Sequence, residues 1–312
     1  MGEWSKSVGE KGEKIMSFFF KEILGFNTVL ENQSVECLKE KKHKRPFAKG
    51  DRTTHGIDGL ISYKNPLEDR TLEILVASSK FTSKKYSSSP KTEFKSHITD
   101  LAYAIECFKN SKLNSETKKQ FSDVDRTDVT GVIVWTSNKS PLDYALIPHI
   151  SNSQLDSDLD FDRIIVIDNE RFNFLYDTVY STRRLYDDDK VSIIYHNTSL
   201  NNSMQTSTRY GKILPIQYAV SDLIPLRIEN GDRVEILVFC KNDFNAENFA
   251  QVLSFAKSFD HLDLVNKTTI AFANYDDLES RKIVESQLFN FDNYKLGENL
   301  FVKKFPSDFR NN

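Results

Sequence analysis

The chain has 312 residues, of which 42 are Lys or Arg and 45 are Asp or Glu, so its formal net charge is −3. A hydrophobic fraction of 39% with only 11 Gly and 8 Pro excludes disordered and collagen-like proteins. Apolar runs stay well below the ~20 residues that cross a bilayer. We therefore expect a folded protein without a membrane segment, and its length predicts two domains.

Cysteine usage indicates the cellular compartment. Cys37, Cys107 and Cys240 are far apart in the sequence, and an odd, scattered set is typical of reduced thiols rather than of a disulfide framework. The N-terminus lacks the apolar core of a signal peptide. No CxxC or HxxxH pair indicates a zinc site. We expect a cytoplasmic protein without structural zinc.

Hydrophobic periodicity predicts alternating helices and strands in the first two thirds of the chain. Residues 111–128 are polar and read as a loop, as do residues 82–90. The predicted elements are a helix at 5–24 that Gly25 ends, a short strand at 30–38, hairpin strands at 57–63 and 71–81, a helix at 91–110, strands at 129–136 and 163–168, a helix at 169–185 and a strand at 191–196.

A polar segment rich in Ser, Asn and Thr, residues 197–209, is the best candidate for a linker. It predicts a first domain at 1–196 and a second at 210–312. The second has β-α-β-α-β order and is expected to be a smaller α/β domain. Its predicted elements are strands at 234–240, 268–273 and 299–305 and helices at 245–258 and 275–288.

Charge is distributed unevenly. Residues 1–119 carry 22 Lys or Arg against 16 Asp or Glu, whereas residues 120–312 carry 20 against 29. The first part is therefore expected to bind a polyanion, although lysines that only solvate the surface are the alternative. The densest basic cluster precedes the first hairpin strand and consists of Lys39, Lys41, Lys42, Lys44, Arg45, Lys49 and Arg52.

Three features of the first part suggest chemistry when they are taken together. The N-terminal helix carries Glu10 and Glu13, Asp58 stands between two glycines in HGIDG, and Lys80 ends an apolar strand. Carboxylate oxygens hold Mg²⁺, and a nearby cation stabilises a phosphate under attack. These residues supply the parts needed for metal-assisted hydrolysis of a phosphodiester, although each alone is better explained as a solvated, capping or strand-end residue.

This arrangement resembles the PD-(D/E)XK nuclease superfamily, in particular its Mrr-like and Holliday-resolvase-like branches. The segments GEKGEKIMSFFFKEILGF, HGIDGLISY and EILVASSKF carry the resemblance, which extends over about residues 1–195. It implies a restriction-endonuclease-like mixed sheet flanked by helices. It also implies that Glu13 and Asp58 bind Mg²⁺ or Mn²⁺ and that Lys80 is catalytic.

One position departs from the family motif. The acidic or amide residue expected two positions before Lys80 is Ser78, which we assign as a weaker metal ligand with a catalytic role. Glu73 is the alternative, but strand alternation places it on the opposite face of the sheet from Ser78 unless a bulge intervenes.

The resemblance also suggests which side chains meet nucleic acid. The helix after Lys80 often faces the substrate in such nucleases, and His55 lies just before the Asp58 strand. The predicted interface comprises the basic cluster residues Lys41, Lys42, Lys44, Arg45, Lys49 and Arg52 together with His55, Lys84, Lys85, Lys91, Lys95 and His97.

A narrower resemblance rests on GEWSKSVGEKGEK and ASSKF. These segments are similar to the nuclease subunit of a two-gene bacterial anti-phage defence system of the Growing Antiphage System type. That similarity implies a partner protein encoded nearby and toxicity triggered by infection. Separately, we expect DNA or RNA, tRNA included, as the substrate, with a homo-oligomer as a further assembly. The alternatives are a nuclease-fold protein that binds nucleic acid without cutting it, and an assembly protein of unrelated chemistry.

Overall fold

The computed structural model of the protein describes residues 3–44, 49–201, 209–259, 265–290 and 299–306. Its contacts divide the chain into two compact units, Met1–Asn173 and Phe174–Asn312. The division lies within a helix, 23 residues before the boundary at 196 that the sequence predicted.

The first unit is built on a mixed five-stranded sheet in which the strands follow one another in chain order. The first three strands are antiparallel neighbours, and the third to the fifth are parallel. The predicted α/β fold with a mixed sheet flanked by helices is confirmed. The strands are β1 Leu30–Glu36, β2 Thr54–Lys64, β3 Thr71–Thr82, β4 Arg126–Ser137 and β5 Arg163–Ile167.

Helices cover both faces of this sheet. They are α1 Glu3–Phe18 with a π-helical turn Phe19–Ile23, α2 Pro90–Lys109, α3 Lys112–Lys119, the single turn α4 Ile147–Ile150, and α5 Asn169–Leu185, which continues into the second unit. Helix α2 was predicted closely. Helix α3 was not predicted, because its polar sequence has no apolar stripe; the Ser111 side chain caps it by accepting a hydrogen bond from Asn114 N.

Alternation along β3 separates the two helical layers. Ile74 and Val76 face the core that contains α2, whereas Ala77, Ser79 and Phe81 face α1. Both faces of β3 and β4 are thus covered, which explains why these parallel strands are almost continuously apolar.

The end of the first helical segment is where the sequence predicts it. Gly25 has a φ of +77°, a left-handed conformation that favours glycine, and it ends the helix. The predicted helix at 5–24 corresponds to α1 and the π-helical turn.

The second unit contains a six-stranded sheet in the order β11-β10-β9-β8-β6-β7. Strands β9 to β11 are parallel, as β-α-β-α-β order predicts. The elements are β6 Val191–Ile194, β7 Tyr210–Gly211, β8 Leu223–Asn230, β9 Arg233–Cys240, β10 Lys267–Phe272 and β11 Leu300–Lys304, helices α6 Ala246–Lys257 and α7 Asp277–Asn290, and 3₁₀ turns Asp188–Lys190 and Tyr218–Val220.

Two strands here differ from the sequence predictions. The strand predicted at 191–196 was assigned to the first domain because it precedes the polar segment; in the structure β6 pairs with β8 of the second sheet. Strand β8 was not predicted, since Pro225 interrupts its pattern. Of the predicted linker 197–209, residues 202–208 lie outside the described residues. None of the described helices combines the length and apolar character of a bilayer span.

Candidate active site

Strands β2 and β3 separate at one point, and three of the predicted catalytic residues, Asp58, Ser78 and Lys80, lie at this fork. Pairing between the two strands ends at Gly59 opposite Ala77. Beyond this pair β2 continues along β1, while β3 continues along β4 from Ser78 to Thr82. The fork therefore opens between Asp58 and Ser78 and exposes polar groups at the end of an apolar sheet.

Asp58 occupies the first position of the fork and contacts both residues across it. Its Oδ2 atom accepts a hydrogen bond of 2.7 Å from Ser79 N and one of 3.3 Å from Ser78 Oγ. Both contacts use the same oxygen, and no described residue donates to Oδ1. The carboxylate is thus oriented through one oxygen while the other remains available for a ligand.

Lys80 lies two residues after Ser78 along β3, and in the strand register it stands beside Trp135 of β4. His97 of α2 stands close to both, with its ring 4.9 Å from the Trp135 ring in an edge-on arrangement. Burial, and secondarily the Lys80 charge, lowers the pKa of His97 to about 4. The His97 imidazole is therefore neutral at pH 7.

A cleft of about 400 Å³ opens at this end of β3, between α1 and α2. Its volume suits a nucleotide-sized group. Asp58 does not line the cleft, but it hydrogen-bonds to Ser79, which does. The lining residues are Val8, Gly9, Gly12, Ser79, Lys80, Phe81, Thr82, Glu93, His97 and Trp135.

Helix α1 crosses the fork at close range. A Cβ atom on Gly12 would lie 2.8 Å from Ser79 Oγ of β3 and 2.9 Å from Phe81 Cβ, so only glycine allows this approach. One turn later Met16 touches Gly59 of β2: its Cε is 3.0 Å from where a Cβ would stand. Glu13 is half-buried and lies between these two contacts along the helix. Glu10, the second candidate in the sequence, is exposed.

Glu73 is remote from the fork. It is fully buried opposite Tyr63, five residues before Ser78 along β3. Its carboxylate accepts hydrogen bonds from Thr130 Oγ1 at 2.5 Å and from Asn65 Nδ2 at 3.3 Å. The pairing of β3 with β4 is continuous from Thr71 to Thr82, so no bulge turns Glu73 towards Asp58.

The predicted nucleic-acid contacts fall into distinct groups. Arg45 lies outside the described residues. Lys42 is half-buried, and its Nζ is 3.4 Å from Asp158 and 3.7 Å from Glu106. The exposed lysines are Lys41, Lys44, Lys49, Lys84, Lys85, Lys91 and Lys95.

Two of the predicted phosphate contacts need correction. His55 has no exposed surface, and it lies in a buried cluster with Cys37, His43 and Cys107, so it cannot reach a phosphate. Arg52 has a side chain that is only 8% exposed, and its Nη1 lies 2.5 Å from Asp100 Oδ1. Its charge is therefore already paired.

Sequence reasoning missed three features of the site. Glu93 adds a carboxylate to the cleft and Trp135 supports His97, but neither stands in a recognisable motif. Gly12 was seen only as part of a charged helix. The strand register sets Trp135 beside Lys80, and knowledge of this register would have identified Trp135 as part of the site.

Comparison with protein families supports the resemblance to nucleases that the sequence segments indicate. Residues 1–171 match the family model of the GAPS4 protein PD-(D/E)XK nuclease domain. No curated protein and no solved structure gives a significant match to the chain.

Proposed function

Because the chain belongs to this PD-(D/E)XK nuclease family, we propose that it is a metal-dependent nuclease that hydrolyses phosphodiester bonds of DNA or RNA. The observation that carries the proposal is the fork. Asp58, Ser78 and Lys80 are brought together where β2 and β3 separate, beside a cleft of about 400 Å³.

The donor groups at the fork suit a hard divalent cation. Mg²⁺ and Mn²⁺ prefer oxygen ligands and keep several waters, so one or two carboxylates are sufficient. Asp58 Oδ1 is the first ligand we propose, because Oδ2 is held by Ser79. On the family resemblance, we propose Glu13 of α1 as the second ligand and the Ser78 hydroxyl as the third. A metal bound there would activate a water and polarise the scissile phosphate.

Lys80 supplies the positive charge beside the scissile group. Its ammonium stabilises charge that develops on the phosphate oxygens during attack. His97 has a different role in this proposal: being neutral at pH 7, it orients a water or a phosphate oxygen through a hydrogen bond and adds no charge. Glu93 is a further carboxylate that faces the same cleft.

Four exposed lysines lie between Thr82 and His97, two of the residues that line the cleft. Lys84 and Lys85 follow the Lys80 strand, and Lys91 and Lys95 belong to the first turns of α2. Phosphate contacts of this kind position a nucleic acid without reading its bases. We therefore propose a polynucleotide substrate. A cleavage assay with DNA and RNA substrates, tRNA included, distinguishes between the two.

A second candidate function follows from Ser78. A hydroxyl binds Mg²⁺ more weakly than the carboxylate that the family motif places there. Moreover, among the described residues no group of three His, Cys, Asp or Glu ligand atoms comes together at the fork. A protein that binds nucleic acid at this site as a sensor or assembly subunit, with weak or no cleavage, is the alternative.

We also propose that the protein acts as an effector of bacterial anti-phage defence, in the cytoplasm and in complex with a second protein encoded nearby. The resemblance of the N-terminal segment supports this role. The second unit, residues 174–312, carries 19 Asp or Glu against 16 Lys or Arg, and this small acidic excess favours a protein contact over polyanion binding. Co-purification of the two proteins, with light scattering to detect homo-oligomers, tests this assembly.

The decisive experiment is a cleavage assay of the purified chain, alone and with the neighbouring gene product. Plasmid, single-stranded DNA and tRNA are incubated with Mg²⁺, Mn²⁺ or EDTA, and Asp58→Asn serves as the inactive control. Metal-dependent cleavage that Asp58→Asn abolishes supports the nuclease. Binding in a gel-shift assay without cleavage in any condition supports the alternative function.

A further inference from the structure

A second cluster of metal-binding side chains lies where the β1–β2 connection meets α2. Each member is buried, and one ligand atom from each lies within 4.8 Å of those of all the others. We refer to it as the Cys/His cluster, and its members are Cys37, His43, His55 and Cys107. We propose that the Cys/His cluster binds a structural zinc ion, separate from the metal proposed at the fork.

The three distances from His43 Nδ1 to the other ligand atoms match the edges of a tetrahedral zinc site. With Zn–N bonds of about 2.0–2.1 Å and Zn–S bonds of about 2.3 Å, a tetrahedron has N···N edges of about 3.3 Å and S···N edges of about 3.5 Å. His43 Nδ1 lies 3.2 Å from His55 Nε2. The same nitrogen lies 3.4 Å from Cys37 Sγ and 3.5 Å from Cys107 Sγ.

Hydrogen bonding alone does not account for this convergence. A ring nitrogen of histidine carries either one proton or one lone pair, so it makes one good hydrogen bond in the ring plane. His43 Nδ1 nevertheless has the ligand atoms of all three other cluster residues within 3.5 Å. Three nearly equal contacts on one nitrogen are expected when a cation shared by all four atoms sets their separation.

The surroundings of the cluster are those of ligands held for a metal. His43 Nε2 lies 3.0 Å from Glu106 Oε2, which fixes the tautomer that leaves Nδ1 as a ligand. The His43 ring also stacks on Tyr103, with centroids 4.0 Å apart. The backbone N–H of Leu38 donates to Cys107 Sγ at 3.4 Å, a hydrogen bond that a metal-bound thiolate would also accept.

Charge is balanced in this arrangement. Two thiolates neutralise Zn²⁺, so the buried centre carries no net charge. The remaining buried carboxylate, Glu106, forms ion pairs with Lys39 and Lys42. Burying a metal ion with uncompensated charge would cost free energy, and the two thiolates avoid this cost.

The site would fix the connection between β1 and β2 to the body of the unit. Cys37 follows β1, His43 lies in the connection, His55 belongs to β2, and Cys107 belongs to the last turns of α2. One ion thus joins three elements and the basic segment between Lys39 and Arg52. Zinc would hold this segment without a large apolar core, because His43 is the only buried side chain among residues 39–44 and 49–52, the part of the segment that the structure describes.

The test is the metal content of the full chain, purified without an affinity tag or chelator after expression with added zinc. Elemental analysis of the wild-type chain is compared with Cys107→Ala and with Cys240→Ala. Cys240 is the matched control, because it is buried in the hydrophobic core of the second unit and is not a member of the Cys/His cluster. A second measurement loads the wild-type chain with Co²⁺ and records its absorption spectrum.

We expect about one zinc per wild-type or Cys240→Ala chain and less than about 0.2 per Cys107→Ala chain. Cobalt is expected to give the intense bands of a tetrahedral thiolate site, which decides the matter if Cys107→Ala does not fold. The proposal is overturned if the wild-type chain holds less than about 0.2 zinc, if Cys107→Ala retains a full equivalent, or if the cobalt bands are absent. None of these readouts depends on cleavage, so they are independent of the proposed nuclease function.

Discussion

The carboxylate of Asp58 hydrogen-bonds to the backbone N–H of Ser79 at 2.7 Å, just beyond the last paired residues of β2 and β3. The Asp58 side chain thus accepts the hydrogen bond from Ser79 N that a backbone carbonyl of a neighbouring strand would otherwise accept. The interaction orients Asp58 while the strands separate around it. It also couples the proposed metal ligand to the strand that carries Lys80.

Asp58→Asn is expected to lower cleavage at least about 100-fold, since an amide replaces the anionic metal ligand. Its side-chain oxygen can still accept the hydrogen bond from Ser79, so the fold should persist. Cleavage rate and circular dichroism check this. Asp143→Asn, at an exposed position, is the control and should retain activity. An Asp58→Asn enzyme with full activity would remove the metal-site assignment.

Lys80→Met is expected to abolish cleavage and to raise the pKa of His97. The Lys80 charge is the second cause of the low pKa of His97, and burial is the first. The pKa should therefore rise but stay below its ordinary value. NMR titration of the His97 ring in wild-type and variant chains measures the shift. An unchanged His97 titration would show that the two side chains are not in contact.

Stability should depend on pH through His97. Its pKa is about 4 in the folded chain against 6.5 for the ordinary group, so the unfolded chain binds more protons between these values. The free energy of unfolding therefore falls as the pH drops from 6.5 towards 4. Urea unfolding of wild type and His97→Phe across this window isolates the effect, and the variant should lose less stability. Parallel pH profiles would contradict the burial of His97.

Ser78→Glu is expected to lower the Mg²⁺ concentration needed for half-maximal cleavage, because a carboxylate adjacent to Asp58 raises the charge of the ligand set. Glu73→Gln is the matched comparison. It should cost about 1–3 kcal/mol of stability through its buried hydrogen bonds with Thr130 and Asn65 and leave the Mg²⁺ requirement unchanged. Should Glu73→Gln change the Mg²⁺ requirement while Ser78→Glu does not, the assignment of Ser78 fails.

Two glycines of α1 are expected to respond in opposite directions to alanine. A methyl group at Gly12 would lie 2.8 Å from Ser79 Oγ, and overpacking of this kind costs about 1–3 kcal/mol. A methyl group at Gly9 meets nothing within 4 Å, so Gly9→Ala should stabilise the helix by about 0.5–1 kcal/mol. Denaturant unfolding of both variants measures this. Equal effects would mean that α1 does not pack closely on β3.

Local chemistry along the chain was sufficient to predict much of the first unit and to propose candidate site residues within it. The apolar strands β3 and β4, the periodic helix α2 and the break at Gly25 are encoded by patterns over a few residues. The position of Asp58 between glycines and that of Lys80 at a strand end are likewise visible locally. The parity of Ser78 and Glu73 along β3 already placed them on opposite faces, and the structure agrees.

Features that depend on pairing between distant segments were accessible only in the tertiary structure. Strand 191–194 is apolar, but only its pairing with β8 shows that it belongs to the second sheet. The cleft between α1 and α2, and the place of Trp135 beside Lys80, depend on strand register and helix packing. The Cys/His cluster joins residues 37, 43, 55 and 107, whose spacing matches no local zinc motif. Sequence patterns report the neighbours a residue has along the chain, whereas a binding site depends on neighbours in space, and those are decided when the strands pair and the helices pack.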